Sequence, residues 1–183
     1  QVLYARGLVP FHAGQFEQAF ELFDQAVAAD GEDALALYYR GLAQARRGAT
    51  EAAVADLRAA LQIEPRLPNA SLDLGVALFD LGQFADARRS LEVAHGRGES
   101  PATAAFFLGL CAYRLGEHDA AGTWFAEAAD DPSLRQSALY YAGLARLRAG
   151  DTPGAQGLLR QSADAAPDTE IGRLAARFAA SPG

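Results

Sequence analysis

Residues 108–128 read LGLCAYRLGEHDAAGTWFAEA, and this stretch decides the fold because its glycines and apolar residues recur along the whole chain. Its first glycine belongs to a column with a period of 34 residues, formed by Gly7, Gly41, Gly75, Gly109 and Gly143. Its second glycine belongs to another such column, formed by Gly14, Gly48, Gly82, Gly116 and Gly150. A fixed period of this length indicates a repeat architecture whose unit holds two helices and two tight turns.

Other columns place small and large residues after each pair of glycines. Small residues recur at Ala19, Ala53, Ala87, Ala121 and Ala155, and again at Ala26, Ala60, Ala94, Ala128 and Ser162. Large apolar residues recur at Phe23, Leu57, Leu91, Phe125 and Leu159. Small residues let helix backbones approach closely, and large residues fill the space beside them. We therefore predict that the first glycine column lies in a helix–helix contact and that the second takes the left-handed C-cap conformation.

At these positions the sequence resembles the tetratricopeptide repeat family, whose pattern joins a Leu-Gly pair to Ala, Phe or Leu, and Ala, with a terminal Pro. Leu74-Gly75 and Leu108-Gly109 match the pair, and Pro65 and Pro167 match the terminal proline. The resemblance implies an all-α, right-handed α-solenoid of five helix-turn-helix repeats with a C-terminal capping helix. It implies a single domain over residues 1–183, with repeats at about 1–33, 34–67, 68–101, 102–135 and 136–167 and a capping helix at about 169–180.

Capping residues and prolines give separate predictions of where helices start. A side-chain oxygen that can cap a helix stands before a proline at Ser100-Pro101, at Asp131-Pro132, and at Asp151 or Thr152 before Pro153. Each pattern is typical of an N-cap followed by the first helical turn. Asp168 is predicted to cap the closing helix, which has apolar residues at helical spacing.

Composition narrows the class of protein. The 183-residue chain is 50% hydrophobic without a run of 18 apolar residues, which favours a helical array over a membrane span. Its net charge of −7 argues against nucleic acid as a partner. All 16 basic residues are Arg, which suggests a bacterial origin. Gln1 already lies within the first predicted helix, so we expect a fragment of a longer protein. The compartment is left open, with the cytoplasm favoured over the periplasm.

The chemically reactive residues indicate no catalytic or metal site. Cys111 is the only cysteine and shares a column with small apolar residues, so we interpret it as a packing residue. The three histidines, His12, His95 and His118, occupy unrelated places in the repeat. No glycine-rich phosphate loop, nucleophile elbow or paired carboxylates are present. We therefore predict a protein that is not an enzyme and that needs no metal or cofactor.

The resemblance implies that the first helix of each repeat lines a concave groove. Four columns of these helices are mostly apolar and fall on one face: Tyr4, Tyr38, Leu72, Phe106 and Tyr140; Ala5, Tyr39, Asp73, Phe107 and Tyr141; Leu8, Leu42, Val76, Leu110 and Leu144; and Phe11, Ala45, Phe79, Tyr113 and Leu147. Such a face is either ordinary core or an exposed groove. We favour the groove, because other faces of the same helices already supply core contacts.

The groove predicts a protein or peptide partner with an apolar or amphipathic segment. Its predicted partner-binding residues are Tyr4, Tyr38, Tyr39, Phe79, Phe106, Phe107, Tyr113, Tyr140 and Tyr141, with Arg114 and Arg148 as rim charges. Family members that grip a terminal carboxylate use Lys and Asn in these columns, so we expect no carboxylate clamp here. The rim column of His12, Arg46, Asp80, Arg114 and Arg148 is mostly basic, which favours a partner segment that carries Asp or Glu.

Three other functions fit the same sequence. The groove is filled by the protein's own extension or by another protomer in a self-assembling scaffold or homo-oligomer, or it holds a lipid or another apolar small molecule. Alternatively, the repeats regulate an enzyme domain outside this chain.

Overall fold

The computed structural model describes residues 3–180, and within this range it contains eleven helices and no strand. The helices are α1 (Leu3–His12), α2 (Phe16–Ala29), α3 (Ala34–Arg46), α4 (Thr50–Ile63), α5 (Ala70–Asp80), α6 (Phe84–Gly96), α7 (Pro101–Arg114), α8 (His118–Ala128), α9 (Arg135–Arg148), α10 (Thr152–Ala165) and α11 (Glu170–Ala179). Helices α1 to α10 form five hairpins with the period of the glycine columns, and α11 follows them. The predicted all-α fold of helical repeats is confirmed.

The chain forms two compact units, residues 1–93 and 94–183. The first unit holds α1 to α5 and most of α6, and the second holds the end of α6 and α7 to α11. The single domain over residues 1–183 stays a prediction.

The first glycine column lies where the two helices of each repeat approach most closely. A Cβ added to Gly109 would lie 2.7 Å from the ring of Phe125, and a Cβ added to Gly7 would lie 2.5 Å from the ring of Phe23. Both rings are fully buried. The helix–helix contact predicted for this column is confirmed. In the second column, Gly116 has a φ of +81° and the other four glycines also have positive φ, so the predicted C-cap conformation is confirmed too.

The predicted helix caps hold only in part. α7 begins at Pro101 directly after Ser100, as predicted, but Ser100 has a φ of +43° and makes no capping hydrogen bond, because its backbone lies in the left-handed region. Asp131 accepts hydrogen bonds from the backbone and side chain of Ser133, and α9 begins only at Arg135. Thr169 rather than Asp168 caps α11, by accepting from the backbone N–H of Gly172 at 2.9 Å.

The cap predicted before Pro153 is present. The Asp151 side chain accepts a hydrogen bond from the backbone N–H of Gly154 at 2.9 Å at the start of α10. This geometry satisfies one of the backbone donors that the first turn of a helix leaves without an internal partner. Asp151 is therefore the N-cap, and Thr152 is the first residue of the helix.

Candidate functional site

The first helices of the second unit bury mainly small residues, with Leu108 as the buried large residue of α7, and leave their other large apolar residues partly exposed. In α9 the buried residues are Ala138, Ala142, Gly143 and Ala145. In α7 they are Ala104, Ala105, Leu108, Gly109, Cys111 and Ala112. The large residues on another face of these helices are half-buried, and we call them the aromatic stripe: Phe106, Phe107, Leu110, Tyr113, Tyr140, Tyr141, Leu144 and Leu147.

Ring contacts hold the aromatic stripe in place. The ring of Tyr141 stacks on Phe125 with centroids 5.8 Å apart, and the edge of Phe106 meets both Phe125 at 5.8 Å and Tyr141 at 5.9 Å. Tyr140 lies 5.3 Å from Tyr141. Since Phe125 is fully buried, Phe106 and Tyr141 each share one side with the core and keep the other partly accessible. These contacts restrict the orientations of the rings.

The first unit has a smaller version of this surface. Tyr39 stacks on Phe23 at 5.6 Å and on Tyr4 at 6.2 Å, and its edge contacts Phe11 at 6.1 Å. These three partly exposed residues, Tyr4, Phe11 and Tyr39, pack against the buried cluster around Phe23. Phe79 is also half-buried on α5, with its ring centroid 5.3 Å from that of Phe84. The predicted residues Tyr4, Tyr39 and Phe79 thus keep partial access to solvent.

Tyr38 is the exception among the predicted aromatic residues, because it is only 8% exposed. Its hydroxyl donates a hydrogen bond of 2.6 Å to Oδ2 of Asp73 on α5. The expectation that Tyr38 lies open to a partner is therefore wrong. Asp73 occupies the column that holds Phe107 and Tyr141 in later repeats, and its carboxylate accepts the hydrogen bond from the Tyr38 hydroxyl.

Burial raises the pKa of the Asp73 carboxyl above its ordinary value, and the hydrogen bond from Tyr38 and the charge of Arg46 offset only part of this increase. Above the folded-state pKa, the ionised carboxylate costs stability. This cost disappears as the pH falls through the window between the raised pKa and the ordinary value, since the folded chain binds the proton first.

We expect Asp73→Asn to remove this dependence while keeping an acceptor for the Tyr38 hydroxyl. As the pH rises from about 4 to about 7, the free energy of unfolding of the variant should increase relative to that of the wild type. Urea denaturation at several pH values measures this difference. Asp80→Asn, at an exposed carboxylate of the same helix, is the matched control. A stability difference for Asp73→Asn that stays constant with pH would contradict the assignment.

The predicted basic rim is exposed, and two arginines adjacent to it, Arg47 and Arg146, pair with acidic residues of the chain. Arg114 and Arg148 both end first helices on the surface. The guanidinium of Arg47 forms two hydrogen bonds of 2.6 Å with Glu17 and lies 4.2 Å from the ring of Phe20, while Arg146 donates to Asp151 at 2.9 Å. Arg47 and Arg146 therefore act in packing, while Arg114 and Arg148 remain the predicted rim charges.

A partly buried ionic cluster joins three helices of the first unit and was absent from the sequence-based predictions. Arg40 on α3 forms two hydrogen bonds of 2.7 Å with Asp56 on α4 and a third, also of 2.7 Å, with Asp24 on α2. These bonds raise the pKa of the guanidinium above its ordinary value, chiefly through Asp56. The cluster connects the two helices of one repeat to the second helix of the repeat before it.

His95 and Cys111 both pack against neighbouring residues in this fold. Nε2 of His95 lies 2.6 Å from Oε1 of Glu127, and the edge of the imidazole meets the ring of Trp124 at 5.2 Å. Cys111 is fully buried on α7. Over residues 3–180, no group of three or more His, Cys, Asp or Glu residues is arranged to hold a metal ion. In the same range, no helix combines the length and the apolar character that a membrane span needs.

Solved structures with the same fold come from several proteins. The chain is 23% identical to YrrB, a TPR protein with an unusual peptide-binding site, with a TM-score of 0.83 over 93% of this chain and 88% of that one. It is 21% identical to MamA from Desulfovibrio magneticus RS-1, with a TM-score of 0.84 over 92% and 96% of the two chains. PilW, a type IV pilus biogenesis factor, is 16% identical with a TM-score of 0.79 over 97% and 84%. These similarities show the fold.

Sequence comparison gives one relative of higher identity and assigns the family. Over 105 residues the chain is 38% identical to Bacteriophage adsorption protein A of Escherichia coli (strain K12), a match that covers 55% of this chain and 10% of that protein. The chain thus spans about a tenth of the length of this relative. Tetratricopeptide repeat models match residues 4–68 and 72–135, residues 44–97, and residues 137–169. The chain belongs to the tetratricopeptide repeat family.

Proposed function

We propose that the chain binds an apolar or amphipathic segment of another polypeptide, and that the aromatic stripe of α7 and α9 is the main contact surface. Membership of the tetratricopeptide repeat family supports a protein-interaction scaffold in general, since its members are typically non-catalytic. The finer proposal concerns the kind of segment bound and the residues that bind it. The peptide-binding site described for the similarly folded YrrB agrees with this class of partner.

The proposal rests on a comparison of the buried residues of α7 and α9 with the larger residues that these helices leave half-buried. A helix that serves only as core would turn its largest apolar residues inward, because burial of a large side chain contributes about 1.5–3 kcal/mol. Here alanine and glycine, with Leu108 and Cys111 on α7, occupy the buried positions, whereas Phe107, Tyr140 and Leu144 stay half-buried. Partly exposed aromatic residues held in fixed positions are the groups that dominate binding energy at protein interfaces.

The chemistry of the stripe sets the character of the segment. Phenylalanine and leucine offer apolar area, and the hydroxyls of Tyr113, Tyr140 and Tyr141 add hydrogen-bonding groups at its surface. An amphipathic helix fits such a surface because it places apolar residues at positions i, i+3, i+4 and i+7 along one face. Arg114 and Arg148 favour Asp or Glu beside those apolar positions.

The direct test titrates wild-type protein with a panel of 18-residue synthetic amphipathic peptides and with scrambled peptides of the same composition, by isothermal titration calorimetry. We expect the amphipathic peptides to bind and the scrambled ones to bind at least about tenfold more weakly. Phe107→Ala and Leu144→Ala should each weaken binding by more than about 1 kcal/mol, with unchanged helicity by circular dichroism.

Leu115→Ala is the matched control, since Leu115 is an exposed leucine directly after α7 that lies outside the stripe. Its affinity for the peptides should equal that of the wild type. Equal binding of ordered and scrambled peptides, or unchanged affinity in both stripe variants, would contradict the proposed function.

A further inference from the structure

A cavity of about 450 Å³ lies between α8 and α9. Its lining includes His118, Asp119 and Gly122 of α8, with Arg146 and Ala149 at the end of α9. None of these residues belongs to the aromatic stripe. The glycine and the alanine leave space in the contact between the two helices.

The corresponding place between α2 and α3, three repeats earlier, is filled by side chains. The guanidinium of Arg47 lies there, 4.2 Å from the ring centroid of Phe20. It also forms two hydrogen bonds of 2.6 Å with the carboxylate of Glu17. The chain thus contains an internal example of a guanidinium that is bound between two repeats by one carboxylate and one aromatic ring.

The ring and the guanidinium are both absent from the cavity between α8 and α9. Gly122 stands in the column of Phe20, and Ala149 stands in the column of Arg47. A Cβ added to Gly122 would meet no neighbouring atom within 4 Å. In the intervening repeats the same two columns hold larger side chains, Val54 with Leu81 and Arg88 with Leu115. The cavity therefore lies at the contact where both columns carry a small residue.

The acid that binds the guanidinium in the first repeat has a counterpart at the cavity. Asp119 stands in the column of Glu17, and both acids lie in the first turn of their helix. In the part of the chain that the structure describes, the Asp119 side chain forms no ion pair. The arginine that lines the cavity, Arg146, already pairs with Asp151 at 2.9 Å. The charge of the Asp119 carboxylate is therefore not compensated by these residues.

We infer that the cavity between α8 and α9 receives the side chain of an arginine that belongs to a partner polypeptide. Its guanidinium donates to the Asp119 carboxylate, as Arg47 donates to Glu17. Its apolar stem occupies the space beside Gly122 and Ala149. A lysine is a poorer occupant, because an ammonium group lacks the planar pair of donors that fits a carboxylate. This surface is separate from the aromatic stripe, and the inference does not rest on the proposed function.

The test titrates the isotope-labelled 183-residue chain with N-acetyl-arginine amide and follows the backbone amide signals of Gly122 and Ala149 by NMR. We expect both signals to shift and to saturate. N-acetyl-citrulline amide, which has a similar shape without the charge, should bind at least about tenfold more weakly. Asp119→Asn should weaken binding of the arginine probe by at least about tenfold, whereas Asp119→Glu, which introduces the acid of the first repeat, should retain it.

Glu51→Gln is the matched control, because Glu51 is an exposed acid in the column of Asp119 at a contact that holds Val54 and Leu81. This variant should bind the arginine probe with unchanged affinity. The double variant Gly122→Phe/Ala149→Arg reproduces the residues of the contact between α2 and α3. It should lose binding of the probe, with unchanged helicity by circular dichroism.

Equal affinities of the wild type for the arginine and citrulline probes would overturn the inference, and this comparison does not depend on the folding of any variant. Shifts that do not saturate, or an unchanged affinity in Asp119→Asn, would also overturn it. Inorganic phosphate is titrated in parallel, and shifts of the same two signals with phosphate instead of the arginine probe would assign an anion site and reject the inference.

Discussion

Replacing Gly109 with alanine is expected to lower the free energy of unfolding of the chain by about 2–3 kcal/mol. The added Cβ would lie 2.7 Å from two ring atoms of Phe125, which is closer than carbon atoms approach without repulsion. Phe125 is fully buried and its ring stacks on Tyr141, so the ring cannot turn away without disturbing a second side chain. Chemical denaturation of the wild type and the variant measures the difference.

Two other glycines provide matched controls, because they differ in the space around them. At Gly41 the nearest atoms lie 3.2 Å from the added Cβ, so Gly41→Ala should cost less than Gly109→Ala. Gly122 lies within α8 and has open space at this position, so Gly122→Ala should stabilise the chain by about 0.5–1 kcal/mol through helix propensity. Equal effects at Gly109 and Gly122 would refute the packing argument.

The second large effect is expected at Arg40, where substitution by methionine should cost roughly 2–3 kcal/mol. Methionine keeps the apolar stem but leaves Asp56, which is 7% exposed, without its two hydrogen bonds from the guanidinium. Asp24, whose side chain is 53% exposed, can return to water and adds little to the cost. Thermal and urea denaturation both measure this loss.

The double variant Arg40→Met/Asp56→Leu separates the lost ion pair from a general loss of packing. It should recover at least half of the stability, since no buried carboxylate remains without a partner. Arg89→Ala is the surface control, because this arginine pairs with Asp86 through a side chain that is 75% exposed, and its effect should stay below about 0.5 kcal/mol. If Arg40→Met were as mild as Arg89→Ala, the cluster would have no structural role.

The repeat columns predicted most of the fold, because each column states the same packing requirement five times. Each of two repeat positions holds glycine in every repeat. This constancy predicted the contact between Gly109 and Phe125 at the first position and the left-handed conformation of Gly116 at the second. Helix starts were harder to predict. A cap depends on one hydrogen bond, and Asp131 uses its oxygen for a turn with Ser133 instead.

The candidate site was predicted only in part, because the repeat columns give no information about an interaction that occurs in a single repeat. The partners of Arg40 lie 16 residues before and 16 residues after it, and the column of Asp56 holds Trp124 in a later repeat, so the ionic cluster leaves no periodic signal. Tyr38 shares a column with the half-buried Phe106 and Tyr140 but is buried and donates a hydrogen bond to Asp73. The solvent exposure of a side chain depends on such individual neighbours, and the repeat pattern does not specify them.

The contact between His95 and Trp124 gives the chain a built-in optical reporter. Trp124 is the only tryptophan, so all indole emission comes from the place where α6 meets α8. An imidazole 5.2 Å away can quench that emission, and separation of the two helices would change both its intensity and its wavelength. Local opening at this junction is therefore observable in the unlabelled protein, independently of the global loss of helical signal.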